Sequence, residues 1–161
     1  VQTIGQEKHG IANMNKELID KMKVALADSY AFALKAQNYH WNVEGPDFSQ
    51  YHSFFGSLYD EVFDAVDGIA ESLRTLDAYA PASFTRFKEL AEIEDELLIR
   101  QPMDMFKQLS ADNIKVLESL TASYLQAEKD KKFGISNFLQ DRITAHEKHG
   151  WMIRSHIKAQ K

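Results

Sequence analysis

There is no cysteine in the 161 residues. Its absence excludes disulfides, thiolate metal sites and cysteine nucleophiles, and it suits a cytoplasmic location. Proline and glycine are scarce as well, at 3 and 7, so few positions can interrupt a helix. No run of eighteen apolar residues occurs, and no membrane-spanning helix is expected. The opening VQTIGQEKHGIANMNK lacks the basic-then-apolar layout of a secretory signal. A surplus of positive charge is also missing: the net charge is -5, which argues against a broad nucleic-acid surface. What is present is an ordinary balance, 44% hydrophobic and 27% charged, in a chain long enough for one domain with a proper core.

Residues 1–14 read as a tail and 15–161 as that domain. A first helix is expected over 15–42, with an apolar stripe of Leu18, Met22, Val24, Ala25, Tyr30, Ala33, Leu34 and Tyr39. Glu44-Gly45-Pro46 then reverses the chain, making the first two helices antiparallel neighbours. The second helix starts after Asp47, a suitable N-cap, and runs to about Leu76. A mixed stretch follows, with a short helical patch over 86–91. Pro102 suits the first turn of a third long helix reaching about Lys131. Phe133-Gly134 marks a break, and a fourth helix continues to about Ala159. The expected fold is all-α: four long helices whose connections are short, long, short. A long middle connection is needed when helices two and three run parallel, which is the ferritin-like four-helix bundle with one crossover.

The segment NYHWNVEGPDFSQYHSFFGSLYDEVFDAVDGIAESL carries the chemistry. His40 and His52 bracket the turn, and Asp67 and Glu71 follow on the second helix. At ~1.5 Å per residue, His52 and Asp67 lie roughly 22 Å apart along the axis. Metal–ligand bonds of about 2.0–2.2 Å exclude a shared ion within one chain. Around the axis, at ~100° per residue, Asp67 and Glu71 fall near 60° and 100° from His52, on one face. Two such helices packed antiparallel about a two-fold axis set His52 of one copy opposite Asp67 and Glu71 of the other, which makes two equivalent sites. His40 is placed across the turn to join His52. Imidazoles and carboxylates with open positions suit Fe(II), with zinc as a substitute.

These residues resemble the Dps family of mini-ferritins, the DNA-binding proteins from starved cells. The likeness centres on HWNVEGPDFSQYHSFF, extends through AVDGIAESL and adds HEKHGWM in the last helix, covering about residues 15–158. It implies a dodecameric shell with ferroxidase sites at two-fold interfaces. There Fe(II) is oxidised, usually by hydrogen peroxide although O2 also serves, and ferric mineral is stored inside. Carried across, the ligands are His40 and His52 from one subunit and Asp67 and Glu71 from its mate. Three features depart from the family pattern. Phe133 to Asn137 stand where the family often places pore-lining Asp. Gly56 stands where a ligand Asp is usual, and Asp60, one turn on, is the residue that could compensate. Ser72 stands where the family has an Arg beside Glu71. An impaired ferroxidase centre in a metal-binding structural shell is therefore the alternative reading.

Other features read more plainly. His146 and His149, at i and i+3, are close enough to share zinc, but a solvated or interfacial pair is the simpler reading. Trp41, beside His40, reads as a core or interface aromatic, and Trp151 as packing. Phe48, Tyr51, Phe55, Tyr59 and Phe63 follow helical spacing as core or dimer contacts. The acidic residues Glu92, Glu94, Asp95 and Glu96 read as a solvated loop. For DNA, Lys8 and Lys16 are offset by Glu7 and Glu17, and Arg154, Lys158 and Lys161 are too few for salt-resistant phosphate contact.

Overall fold

The computed structural model describes residues 15–158; Lys8 and Lys161 of the DNA argument, and the end of the last helix at Ala159, lie outside the described residues. Five helices lie among the described residues: α1 (Lys16–Asn42), α2 (Phe48–Thr75), α3 (Phe84–Leu90), α4 (Pro102–Lys129) and α5 (Phe133–Lys158). Helix directions follow from side-chain pairs. Lys21 donates to Gln126 and Lys35 to Asp112, so α1 and α4 are antiparallel. Asn113 pairs with His146 and Tyr124 with Gln140, so α4 and α5 are antiparallel too. The short α1–α2 turn makes α2 antiparallel to α1 and hence parallel to α4. That is the one-crossover bundle expected from the connection lengths.

Each boundary has a local cause. Gly45 adopts φ 121 in the α1–α2 turn, a conformation open to glycine, and Pro46 follows it. Asp47 holds the N-cap position of α2, but its side chain makes no capping hydrogen bond. Ser83 does cap α3, accepting from the Arg86 N–H at 3.2 Å, so the short helix begins at Phe84, ahead of the expected 86. Pro102 occupies the first turn of α4 as its missing N–H allows. At the other end, Lys131 takes φ 58, with Lys132 N–H bonded to Ala127 O and Lys131 N–H to Glu128 O. This Schellman closure ends α4, and Phe133 and Gly134 belong to the first turn of α5. The break therefore precedes Phe133-Gly134: reversal needs a left-handed residue, and the lysine supplies it.

The core runs the length of the bundle: Leu18, Met22, Phe32, Tyr39, Phe55, Val62, Ile69, Phe106, Leu109 and Leu139 are fully buried. Burying each large side chain contributes about 1.5–3 kcal/mol. Tyr51, Phe54 and Phe55 meet Phe106 and His156 near one end, closing α2 onto α4 and α5. Two expectations need correction: Leu34 is 40% exposed, off the core, and Trp41, 65% exposed, is not a core residue of this chain; Trp151 is 60% exposed within the single chain. Helical spacing located the stripe, but its edges fall outside the contact between neighbouring helices.

The crossover is pinned by an acid expected to be solvated. Glu96 accepts from Tyr39 Oη at 2.7 Å and from Arg100 Nε at 2.7 Å, with only 4% of its side chain exposed. Burial pushes its carboxyl up, but the Arg100 and Tyr39 bonds outweigh that and hold it below the ordinary value. Asp28 of α1 accepts from the Glu92 N–H at 2.7 Å, anchoring the same segment further along.

Candidate metal centre at the α1–α2 hairpin

The turn brings His40, near the end of α1, against His52, in the second turn of α2. Their rings stack with centroids 3.7 Å apart and planes 15° from parallel. His40 Nδ1 lies 2.5 Å from the carbonyl oxygen of His52, and His52 Nδ1 lies 2.6 Å from that of His40. A carbonyl only accepts, so each Nδ1 carries the proton and donates it. In the neutral ring this leaves each Nε2 with its lone pair, the form a metal ligand needs. Phe48 stacks on His52 at 5.0 Å, and Tyr59 meets His40 edge-on at 5.3 Å.

Gly56 lies directly beneath this pair. A Cβ built there would sit 2.9 Å from both Cε1 and Nδ1 of His40. The position that lacks the family's Asp is therefore the seat of the His40 ring. Sequence reasoning registered the lost ligand and missed the contact. The available signal was a helical glycine one turn after a histidine that faces another histidine across a tight turn.

Asp67 and Glu71 both project from the exposed surface of α2, as does Asp60. Helix α2 is unbroken from Phe48 to Thr75, so the two acids remain far along the axis from the histidine pair. Among the described residues no three His, Asp or Glu side chains form a group able to hold a metal ion. Asp60 accordingly does not close a site with His40 and His52 inside one chain. Ser72, in the place of the family's Arg, donates to Gly68 O at 2.8 Å and leaves Glu71 alone.

His146 and His149 have separate tasks, which corrects both readings offered for them. His146 is fully buried; its Nδ1–H donates to Asn113 Oδ1 at 2.8 Å, while Asn113 Nδ2 donates to His146 O. Burial, aided by the nearby His149 and Arg142, pushes its pKa down to about 3, so the ring is neutral. His149 instead contacts Glu61, Nε2 to Oε1 at 2.7 Å. Arg142 grips both oxygens of the same carboxylate at 2.6 and 3.0 Å. The His149 bond, then Arg142, hold the Glu61 carboxyl far below the usual carboxylate range against the opposing effect of burial. Ion pairs thus tie the helices together, Lys35–Asp112 at 2.7 Å among them, while His146 Nε2 is buried with no hydrogen-bond partner.

An all-α bundle with one crossover and an imidazole pair at its hairpin defines a class of protein, and sequence comparison agrees. The chain belongs to the ferritin-like domain family, matched over residues 19–161. The relatives it resembles include Dps proteins. It is 28% identical over 144 residues to DNA protection during starvation protein 2 of Bacillus anthracis, covering 89% of this chain and 99% of that one. An uncharacterised low temperature-induced protein of Nostoc sp. is 28% identical over 157 residues, covering 96% of this chain and 84% of its own. The Dps protein from Vibrio cholerae O1 shares the fold with a TM-score of 0.87 at 22% identity, covering 98% of this chain and 99% of that chain. Antigen TpF1 from Treponema pallidum gives 0.87 at 23%, with the same coverage.

Proposed function

We propose that this chain is a Dps-type mini-ferritin that binds Fe(II) at two-fold subunit interfaces, oxidises it, and stores the ferric product in a hollow dodecameric shell. The observation that carries this reading is the His40–His52 pair, with both Nδ1 atoms engaged and both Nε2 lone pairs available. Asp67 and Glu71 of a two-fold mate supply the carboxylates. In an isologous contact the face that offers the acids to one neighbour offers the histidines to the same neighbour. Two Fe(II) ions give one electron each to hydrogen peroxide, whose O–O bond breaks; two protons complete two waters, and two Fe(III) result. This route avoids the one-electron reduction that releases hydroxyl radical.

The second reading, a metal-binding shell with an impaired centre, is favoured by one observation: the position of the missing Asp is filled by the His40 ring. Anaerobic Fe(II) loading of the metal-free assembly followed by a peroxide pulse separates the two. Rapid growth of ferric absorbance that collapses in His52→Ala supports the ferroxidase. Saturable binding with oxidation no faster than buffer supports the structural shell. Direct DNA binding is not part of this proposal, since the described ends of the domain supply too few cations.

A further inference from the structure

We propose that the apolar recess beside Asp67 and Glu71, under α3, is the seat of Trp41 from a second copy of this chain. The inference rests on the two-fold reading of the site and adds the contact that sets its register.

The recess holds about 310 Å³ and is lined by Leu26 and Tyr30 of α1, Val66 and Ala70 of α2, and Phe84 and Phe87 of α3. Val66 and Ala70 each precede a carboxylate of the proposed site by one position, so the recess flanks that half. Phe84, on its rim, is 81% exposed. Trp41 flanks the other half: it follows His40 and is largely exposed. The single chain thus leaves an open indole beside the histidines and an unfilled apolar recess beside the acids.

Helix geometry brings the two together. His40 packs over Gly56, and Tyr30 against Phe63, so Trp41 lies level with roughly position 54 of the antiparallel α2. In the two-fold contact His52 faces the midpoint of the second copy's Asp67 and Glu71, roughly position 69. Two residues on from His52, in the antiparallel sense, is roughly position 67 of that copy, between Val66 and Ala70. Trp41 is therefore level with the recess of its mate, and symmetry repeats the contact. It cannot fill its own recess, because positions 54 and 67 lie roughly 20 Å apart along α2.

The surface between the two ends is continuous. Tyr59 meets His40 at 5.3 Å and Phe63 at 6.0 Å; Tyr30 meets Phe63 at 5.3 Å and stacks on Phe87 at 4.6 Å. A second copy thus has one aromatic strip to lie against, from the histidines to the recess. A buried tryptophan removes about 150–250 Å² from water. Seating one indole per copy stops α2 sliding along its mate, and so fixes which turn sets its carboxylates opposite His40 and His52.

The experiment uses the assembled full chain, which has no native cysteine. Phe84→Cys is labelled with bimane, whose fluorescence a tryptophan in contact quenches, in a Trp151→Phe background that leaves Trp41 as the sole tryptophan. Adding Trp41→Phe, which keeps an aromatic ring, should raise the bimane emission severalfold. A separate variant, His52→Cys with Asp67→Cys, treated with a short bis-maleimide, reports the two-fold contact as a covalent dimer. Equal bimane emission with and without Trp41, in a protein whose His52–Asp67 pair still crosslinks between copies, overturns the inference and leaves the shared site standing. If neither signal appears, the interface reading fails and this inference falls with it.

Discussion

Asp28 is a fully buried carboxylate with one oxygen on the Glu92 N–H and the other, Oδ2, without a hydrogen-bond partner. Burial raises its pKa from 3.8 to about 6, only partly offset by the Glu92 bond. A carboxyl whose folded pKa is raised contributes fully below its unfolded value and loses that contribution as pH rises through the folded one. Above about pH 7 the bundle holds a charge it solvates poorly. Asp28→Asn keeps an acceptor for Glu92 and should stabilise the protein by about 1–2 kcal/mol near pH 8, with no gain below pH 4. Urea unfolding at the two pH values reads the difference. Glu61 has the opposite sign. Its folded pKa lies below its ordinary 4.5, so its contribution is present above that pH and lost as pH falls. Glu61→Gln leaves Arg142, whose side chain is 8% exposed, without its anion. The expected loss at pH 7 is about 1–2 kcal/mol, discounted from a fully buried pair because the Glu61 side chain is 40% exposed. The loss should shrink in unfolding curves taken below pH 4.

Helix ends show which parts of an element are written locally. The Schellman closure at the end of α4 places Lys131 at φ 58, where an L side chain crowds its own backbone and glycine does not. Lys131→Gly should therefore raise stability by about 1 kcal/mol, read as an upward shift in the denaturant midpoint at constant slope. The four long helices were legible because each carries apolar residues at helical spacing and ends at a turn residue. Their ends moved by a residue or two, and the largest shift was at Phe133-Gly134, where a glycine next to a predicted break drew attention from the lysine that makes it. Glu96 was not legible at all. Its partners are Tyr39, far away in sequence on α1, and Arg100, one turn further along a segment with no helical pattern. A run of acids reads as solvated until tertiary contact buries one of them.

For the whole molecule, the sequence showed that His52 and Asp67 cannot share an ion within one chain, because helix rise alone keeps them apart. The unbroken α2 is consistent with that separation. The stacking of His40 on His52 over Gly56 was hidden, since it depends on how closely α1 and α2 approach at the turn. The Glu61–Arg142–His149 set and the buried Asn113–His146 pair were hidden for the same reason: each joins residues more than thirty positions apart. Under the proposed function, a site completed only by a second copy would make assembly and metal binding mutually dependent. Ions that bind the two-fold pair alone add stability to it by linkage.

The most direct test of the shared site mixes two inactive subunits. One carries His40→Ala and His52→Ala, the other Asp67→Asn and Glu71→Gln, and the two are co-assembled in equal amounts before Fe(II) and peroxide are added. Each parent should oxidise iron no faster than buffer. Random pairing restores one whole site in each mixed pair, so the mixture should recover about a quarter of native sites. A mixture as inactive as its parents, or a parent that keeps native activity, would contradict a centre built from His40 and His52 of one subunit and Asp67 and Glu71 of the next.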